Sequence, residues 1–313
     1  EKVNLTNFGF YDHKNHVNNR TLSVLSSLDK ATVSSVDFPT FQILMTEHQR
    51  VTVLAKSGTN GGDGTAIVLL ANKGAVVDIG KNQNNELFTI EALEFDDIIP
   101  PIVTSAKFDF TNGHLELHAN ETLDVTPASK VNLSLLQFFN SSTDDIIVDC
   151  TGSTVVEKDG KTVAIVLPEA KRHKLYKLSN QVVNGDGSPL FMDILYSGFQ
   201  DVAGNPLLFS KDVLVQELPD TKSPNILGGT EDYSNGLHYE NGSLTIICDE
   251  TIDVTPGEYV NTSSIYLADV SGDRKLLLHG AQIIGVDDVV VTLLLTELQR
   301  VSAISVSNTS GGD

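Results

Sequence analysis

The residues with the most recognisable chemistry in this sequence are asparagines that stand two positions before a serine or a threonine. Asn-X-Ser/Thr, where X is not proline, is the acceptor motif for N-linked glycosylation. The motif occurs eight times, at Asn4, Asn19, Asn120, Asn132, Asn140, Asn241, Asn261 and Asn308. Three of these asparagines directly follow Val3, Val131 and Val260, which recur at almost equal intervals along the chain. The sequence therefore predicts N-glycans on all eight asparagines, and hence an extracellular or cell-surface protein.

Acidic side chains are the second group with candidate chemistry, because carboxylate oxygens are the ligands that Ca²⁺ prefers. The candidates stand in two similar loops and at two repeat junctions: Glu121 and Asp124, Asp249 with Glu250 and Asp253, and Asp97 and Asp220. An ion at a junction could stiffen it. However, the chain has no ordered Asp-X-Asp-X-Asp loop, and aspartate commonly caps turns. The favoured interpretation is that these acids are structural, and calcium stays the alternative.

Motifs typical of catalysis or cofactor binding are incomplete. Gly160-Lys161-Thr162 would need a glycine at residue 155 to form a phosphate loop, and Val155 stands there. Asn60-Gly61-Gly62-Asp63-Gly64 lacks the pattern of a dinucleotide fingerprint, and the chain has no Gly-X-Ser-X-Gly nucleophile motif. The chain also has no tryptophan to form a sugar-binding platform. We therefore expect no catalytic residue, no cofactor-binding residue and no enzyme activity.

Cysteine and histidine usage predicts neither a disulfide framework nor a metal site. The eight histidines do not cluster with cysteines, so no zinc site is expected. Cys150 and Cys248 are the only cysteines, and they fall on inward-facing positions of strands in different repeats. Buried thiols are favoured over a bridge between them.

The charge balance excludes one class of partner. The 313 residues carry 41 acidic and 21 basic side chains, which gives a net charge of −20. Nucleic-acid binding needs a cationic face, so it is not expected. The longest notable apolar run, Val289 to Leu295, is much shorter than the roughly 18 residues of a membrane span. We expect no span in this segment.

A long internal repeat organises the elements that must position these residues. Thr46-Glu47-His48-Gln49-Arg50-Val51 returns as Thr296-Glu297-Leu298-Gln299-Arg300-Val301, with a weaker copy at Pro168 to Arg172. The arginines at positions 50, 172 and 300 are almost equally spaced, and a glycine turn follows each copy. A period of about 125 residues is enough for one hydrophobic core per copy. The predicted domains are repeat 1 at residues 1–97, repeat 2 at residues 98–221 and repeat 3 at residues 222–313.

Periodicity within repeat 2 predicts strands and one short helix. Leu115, Leu117 and Ala119 alternate with polar residues, which indicates a strand with these three side chains facing inward. Asn132 and Ser134 are expected on the solvent face of a strand at residues 131–139. Further strands are predicted at residues 107–110, 146–156, 162–167, 190–195 and 212–218, with a loop at 121–127. A helix is expected to begin at Pro168, and Thr46 with Gln49 predicts a capping box in the first repeat.

Three short motifs resemble those of a known family. They are a proline-led first strand after Pro100-Pro101, a strand followed by Glu121-Thr-Leu-Asp124, and Asp201-Val-Ala-Gly-Asn205 before the last strand. Together they resemble the immunoglobulin-like (Ig-like) repeats of S-layer proteins and large surface adhesins. The resemblance implies an all-β fold of tandem Ig-like β-sandwiches, each with a short helix before its later strands. It transfers no functional residue.

These observations predict a structural, N-glycosylated segment of an extracellular fibre, filament, stalk or adhesin. Its expected partners are copies of itself or flanking repeats. Repeat 1 lacks opening strands and repeat 3 lacks closing strands, which favours a window on a longer chain. Polymerisation by strand donation between chains is the other possibility. A calcium-stiffened cell-adhesion module is the alternative function.

Overall fold

The structure is a computed structural model that describes residues 3–12, 25–33, 40–140, 146–181, 185–228, 235–269, 271–307 and 309–312. Strands outnumber helices, and the three α-helices of the described residues have only eight or nine residues each. The β-rich fold is therefore confirmed. The chain divides into two compact units. Unit 1 contains residues 1–167 and 175–219, and unit 2 contains residues 168–174 and 220–313.

The first part of unit 1 is built from short strands and one helix. They are β1 (Phe8–Asp12), β2 (Ser26–Ser27), β3 (Thr32–Val33), β4 (Ile43–Leu44), α1 (Glu47–Leu54), β5 (Ile67–Ala71) and β6 (Phe88–Glu91). Four strands form a sheet in the order β2-β1-β5-β6, and β3 pairs with β4. The buried side chains Phe8, Leu28, Ala31 and Ala75 form the core of this part.

The second part of unit 1 contains eight strands. They are β7 (Val103–Asp109), β8 (His114–Leu123), β9 (Leu136–Asn140), β10 (Val148–Asp149), β11 (Thr154–Val155), β12 (Gly160–Val166), β13 (Leu190–Ile194) and β14 (Ser210–Leu218). Helix α2 (Glu169–Lys177) lies between β12 and β13 in the chain, and its residues up to Lys174 belong to unit 2. The strand order is β10-β9-β13-β14-β7-β8-β12-β11.

Strand β14 joins two halves of this sheet. Its first residues pair antiparallel with β13, and its last residues pair parallel with β7. The halves face each other across one core, since the rings of Phe108 on β7 and Phe138 on β9 lie 5.9 Å apart and both are fully buried. Leu115 and Leu117 on β8 are also fully buried, as their alternation with polar residues predicts.

Unit 2 repeats part of this pattern. Its elements are β15 (Gly236–His238), β16 (Ser243–Ile252), β17 (Tyr266–Ala268), β18 (Lys275–Leu277), β19 (Gln282–Ile284), β20 (Asp288–Leu294) and α3 (Glu297–Ser305). One sheet has the order β15-β16-β20-β19, and β17 pairs with β18. Leu244, Leu278, Val291 and Leu293 are among the buried residues of its core.

The three hydrophobic cores found among the described residues fall within the three predicted repeats. The first contains residues between 3 and 76, the second residues between 103 and 215, and the third residues between 237 and 303. The division into three domains stays a prediction, because the first two cores share one compact unit. That unit is nevertheless not built on one merged core.

Helix α1 begins as its sequence predicts. The Thr46 hydroxyl accepts a hydrogen bond from the Gln49 N–H, and the Thr46 N–H donates to the Gln49 carboxamide at 2.8 Å. The same reciprocal capping box opens α3 at Thr296 and Gln299. Both ends of the box satisfy donors that the first helical turn would leave without partners.

The structure corrects three local predictions in repeat 2. Asn132 does not lie on a strand but precedes a 3₁₀ turn at Leu133–Leu135, and the strand starts only at Leu136. The single strand expected at 146–156 is two short strands, β10 and β11, separated by a turn at Gly152, whose φ of +83° favours glycine. Strand β8 continues to Leu123, so Glu121 belongs to a strand and not to a loop.

No helix of the described residues is both long enough and apolar enough to cross a membrane.

Candidate functional site

Five charged side chains meet inside unit 1: Glu47, Arg50, Asp97, Glu121 and Asp201. We call them the Arg50 cluster. They come from helix α1, from the segment between β6 and β7, from the end of β8, and from the loop before β14. Residues far apart in the sequence are thus brought to one place, where three carboxylates contact one guanidinium and that of Asp201 lies beside two of them.

Helix α1 presents the first two members together. Glu47 and Arg50 are three residues apart, which places them on the same helix face. Arg50 Nε lies 2.8 Å from Glu47 Oε2, and Arg50 Nη2 lies 2.8 Å from Glu47 Oε1. Glu47 Oε1 also accepts a hydrogen bond from the Thr122 N–H at 2.8 Å. This hydrogen bond therefore holds the capped first turn of α1 against the end of β8.

The remaining nitrogens of Arg50 reach two further carboxylates. Nη1 donates to Asp97 Oδ2 at 2.6 Å, and Nη2 lies 3.2 Å from Glu121 Oε2. The side chains of Asp97 and Glu121 are only 16% and 11% exposed. Fork-shaped pairing of this kind is a property of arginine that lysine does not share.

Asp201 completes the cluster and is fully buried. Its Oδ1 accepts hydrogen bonds from the N–H groups of Ala203 and Asn205, at 2.9 and 2.8 Å. The Asn205 carboxamide donates to Asp201 Oδ2 at 2.9 Å and to the Asp97 carbonyl at 3.0 Å. The Asp201–Asn205 loop therefore holds the segment that carries Asp97.

The surroundings of Glu47 and Glu121 shift the pKa values of these two carboxyl groups in opposite directions. Burial opposes ionisation of Glu47, but hydrogen bonds from Arg50 and Thr122 outweigh burial and lower its pKa to about 2. For Glu121, burial and then the charges of Asp201 and Asp97 raise the pKa to about 7, and Arg50 offsets this only in part. The hydrogen bond to Glu47 raises the pKa of Arg50, so the guanidinium stays charged.

The arrangement is suited to cation binding. Asp97, Glu121 and Asp201 each offer a carboxylate oxygen, and these three oxygens lie within 4.8 Å of one another. An open cavity of about 400 Å³ lies against the cluster, and Asn120 and Ile99 line it. Carboxylates that converge at such distances are typical ligands of hard cations.

Unit 2 contains a related arrangement. The carboxylate of Glu169 on α2 accepts a hydrogen bond from the Thr251 N–H at 2.9 Å, as Glu47 does from Thr122 in unit 1. Glu250 is 5% exposed and corresponds to Glu121. Lys222 Nζ lies 2.9 Å from Glu250 Oε1 and 2.7 Å from Asp249 Oδ2. This copy thus has a lysine ammonium against its buried glutamate.

Five of the predicted glycosylation sites lie on the surface. These exposed side chains are Asn4, Asn120, Asn132, Asn241 and Asn261. In three of them the hydroxyl of the motif's own Ser or Thr lies 2.7 to 2.8 Å from the asparagine Oδ1, as in Asn132 and Ser134. Their exposure is compatible with the predicted glycans.

Asn140 does not fit a side chain that carries carbohydrate. It is fully buried, and its Nδ2 donates to the Leu178 carbonyl at 2.7 Å and to Asp186 Oδ2 at 2.6 Å. Because the glycan would be attached to this nitrogen, we expect Asn140 to be unmodified in the folded protein. Asn19 and Asn308 lie outside the described residues.

The calcium candidates of the sequence are only partly brought together. Asp97 and Glu121 meet, whereas Asp124 pairs with Lys130 at 2.5 Å. In unit 2, Asp253 caps the Thr255 N–H, and Asp220 accepts from the Lys222 N–H at 3.0 Å.

Sequence reasoning missed Glu47, Arg50 and Asp201 as members of a site. Two features of the sequence could have pointed to these residues: the arginine that recurs in each repeat, and the Asp201–Asn205 motif.

Compared with known proteins, the chain matches no family model and no curated sequence.

Proposed function

We propose that this chain is a structural segment of an extracellular fibre, filament, stalk or adhesin, built from tandem Ig-like β-sandwich repeats that carry N-glycans. The observation that carries the proposal is the strand order of residues 103–218. An Ig-like sandwich, with strands lettered A to G in chain order, has one sheet of A, B, E and D and another of C, F and G.

The strands of repeat 2 fit this scheme. With β7 as A and β8 as B, the neighbours β7-β8-β12-β11 correspond to A-B-E-D. The neighbours β10-β9-β13-β14 correspond to C, F and G with one additional strand beside C. In unit 2, β15-β16-β20-β19 has the A-B-E-D order, and in repeat 1, β2-β1-β5-β6 has the order of the second sheet.

A structural role agrees with where the charged groups are placed. The buried members of the Arg50 cluster hold a helix, a connecting segment and a loop together. Exposed asparagines on several loops would present glycans, which keep sheet edges of neighbouring chains apart. The partners in this proposal are copies of the chain or flanking repeats.

Glycan mapping of the native protein tests the extracellular assignment. Release of N-glycans by an amidase in ¹⁸O water converts each occupied asparagine to a labelled aspartate, which peptide mass spectrometry detects. We expect label at Asn4, Asn132 and Asn261, which share one repeat position, and at Asn120 and Asn241. Asn140 is the internal control and should stay unlabelled. Absence of label at all five exposed asparagines would contradict the proposal.

A further inference from the structure

One oxygen of the Arg50 cluster accepts no hydrogen bond from the described residues. Glu121 Oε1 is buried, and no hydrogen-bond donor of the described residues contacts it. Glu121 as a whole is 8% exposed, and its other oxygen, Oε2, faces Arg50. A buried carboxylate oxygen without a partner is unfavourable, and such atoms in native proteins commonly face a bound ion or an ordered water.

Arg50 cannot neutralise the cluster alone. Its nitrogens already lie 3.2 Å or less from Glu47, from Asp97 Oδ2 and from Glu121 Oε2. If all four carboxyl groups were ionised, one guanidinium would leave an excess of negative charge where solvent screens it poorly. A second cation, on the side of the cluster that Arg50 does not reach, would neutralise the remaining negative charge.

Alignment of the repeats identifies the position in unit 1 that corresponds to a lysine in unit 2. Asp97 and Pro101 align with Asp220 and Pro224, so Ile99 aligns with Lys222. In unit 2 the Lys222 ammonium lies against Glu250 Oε1, the atom that corresponds to Glu121 Oε1, as an ion pair without the angles of a hydrogen bond.

Unit 1 differs from unit 2 at this position. Isoleucine replaces the lysine, and the ion pair that Glu121 makes among the described residues is through its other oxygen, Oε2, to Arg50. In unit 1, at the place where unit 2 has the lysine against Glu250, the carboxylates of Asp97, Glu121 and Asp201 converge.

We propose that Asp97, Glu121 and Asp201 bind one Ca²⁺ ion, which neutralises the buried glutamate of unit 1 as Lys222 neutralises that of unit 2. The ligands are hard oxygens in an irregular arrangement that leaves room for water, and Ca²⁺ tolerates such coordination better than Mg²⁺ does. The open cavity beside the cluster provides the route from solvent.

The ion would connect three segments of unit 1. Asp97 lies between β6 and β7, Glu121 lies on β8, and Asp201 lies in the loop before β14. Through Arg50 the site also contacts helix α1. Bound Ca²⁺ would therefore stiffen the junction between repeats 1 and 2. This property goes beyond the proposed structural role, which needs glycans and sandwiches but no ion.

Calorimetric titration and thermal unfolding of the full 313-residue chain test the site. After treatment with a chelator and its removal, we expect one Ca²⁺ per chain with a Kd of about 0.1 to 1 mM, the range of extracellular calcium modules. At about 10 mM Ca²⁺ the Tm of unit 1 should rise by about 3 to 10 °C. Lack of saturable binding and of any Tm change would overturn the proposal.

Two variants and a matched control locate the ion. Glu121→Gln should weaken Ca²⁺ binding at least tenfold. Ile99→Lys places an ammonium where Lys222 stands in unit 2, so it should abolish Ca²⁺ binding and raise the Tm in chelator towards the value of the Ca²⁺-loaded wild type. Glu250→Gln changes the corresponding glutamate of unit 2 and should leave Ca²⁺ binding intact.

Two other results with these variants would contradict the proposal. Equal loss of binding in Glu121→Gln and Glu250→Gln would show that Ca²⁺ is attracted by the overall negative charge of the surface and does not bind at this site. Undiminished binding in Ile99→Lys would place the ion elsewhere. Because Ile99 is 64% exposed, lysine there should not disturb folding, and this variant remains informative even if Glu121→Gln folds poorly.

Discussion

At the scale of single residues, Glu47 is expected to make stability depend on pH. Its pKa falls to about 2 in the folded chain, whereas an unfolded glutamate titrates near 4.3. A depressed folded pKa contributes stability that is present above about pH 4.3 and is lost as the pH falls towards 2. Glu47→Gln should therefore cost about 1 to 2 kcal/mol at pH 7, after allowance for solvent screening, and about half of that at pH 3.

Urea unfolding at both pH values measures this difference. The control is Glu297→Gln, because Glu297 occupies the same helix position in α3 and also pairs with its arginine, but its side chain is 71% exposed. The control should leave the midpoint of urea unfolding nearly unchanged at either pH. An equal cost of Glu47→Gln at pH 7 and pH 3 would show that its charge does not stabilise the fold.

Gly61 and Gly64 form a second matched pair. Both have a φ of +83°, but a Cβ on Gly61 would lie 2.2 Å from the Val202 carbonyl oxygen, whereas a Cβ on Gly64 would meet nothing within 4 Å. Gly64→Ala should cost about 1 kcal/mol, for the backbone conformation alone. Gly61→Ala should cost about 2 to 4 kcal/mol, because it also forces the two loops apart. Similar losses in urea unfolding would mean that the loops do not pack closely.

Individual residues also show what the sequence could not reveal. The alternation in β8 identified Leu115, Leu117 and Ala119 as buried, because period two is a local property of a strand. Glu121 follows at the next inward position of the same pattern, yet its carboxylate favoured a solvated loop. Its burial depends on Arg50 in the preceding repeat, and no local pattern encodes that contact. The burial of Asn140 likewise depends on Leu178 and Asp186.

At the scale of elements, the capping glutamines of α1 and α3 contribute beyond their own helices. Gln299 is buried, and its Nε2 donates to the carbonyls of Leu277 and His279 at 3.2 and 3.0 Å. Gln299→Ala should therefore cost about 2 to 3 kcal/mol, since it removes a cap and two hydrogen bonds to carbonyls outside the helix. Leu298→Ala is the control, because Leu298 is 78% exposed and should change stability by less than about 0.5 kcal/mol.

Thermal or urea unfolding of unit 2 compares these two variants. Similar, small effects would show that Gln299 only caps its own helix.

The capping boxes at Thr46 and Thr296 could be predicted because they depend on residues three positions apart. The short 3₁₀ turn after Asn132 could not, since Val131 to Phe139 has the composition of a strand and the turn depends on where the chain enters the core.

At the scale of the whole molecule, the internal repeat was the most informative property of the sequence. Copies of one phrase occur around Arg50, Arg172 and Arg300, and each of the three predicted repeats contains one hydrophobic core of the described residues. The contacts that place repeats 1 and 2 in one compact unit could not be predicted in the same way. They depend on Arg50, Asp201 and the Gly61 turn, whose partners lie in another repeat.

Expression of residues 98–221 alone tests most directly whether each repeat is a module with its own core. All of the second core lies between Val103 and Val215, so this fragment should fold as a monomer. Urea should unfold it in one cooperative transition with an m-value of about 1 to 3 kcal/mol/M. A fragment that stays unfolded, or that gains fixed structure only with residues 1–97 present, would contradict the account of the chain as a series of separate modules.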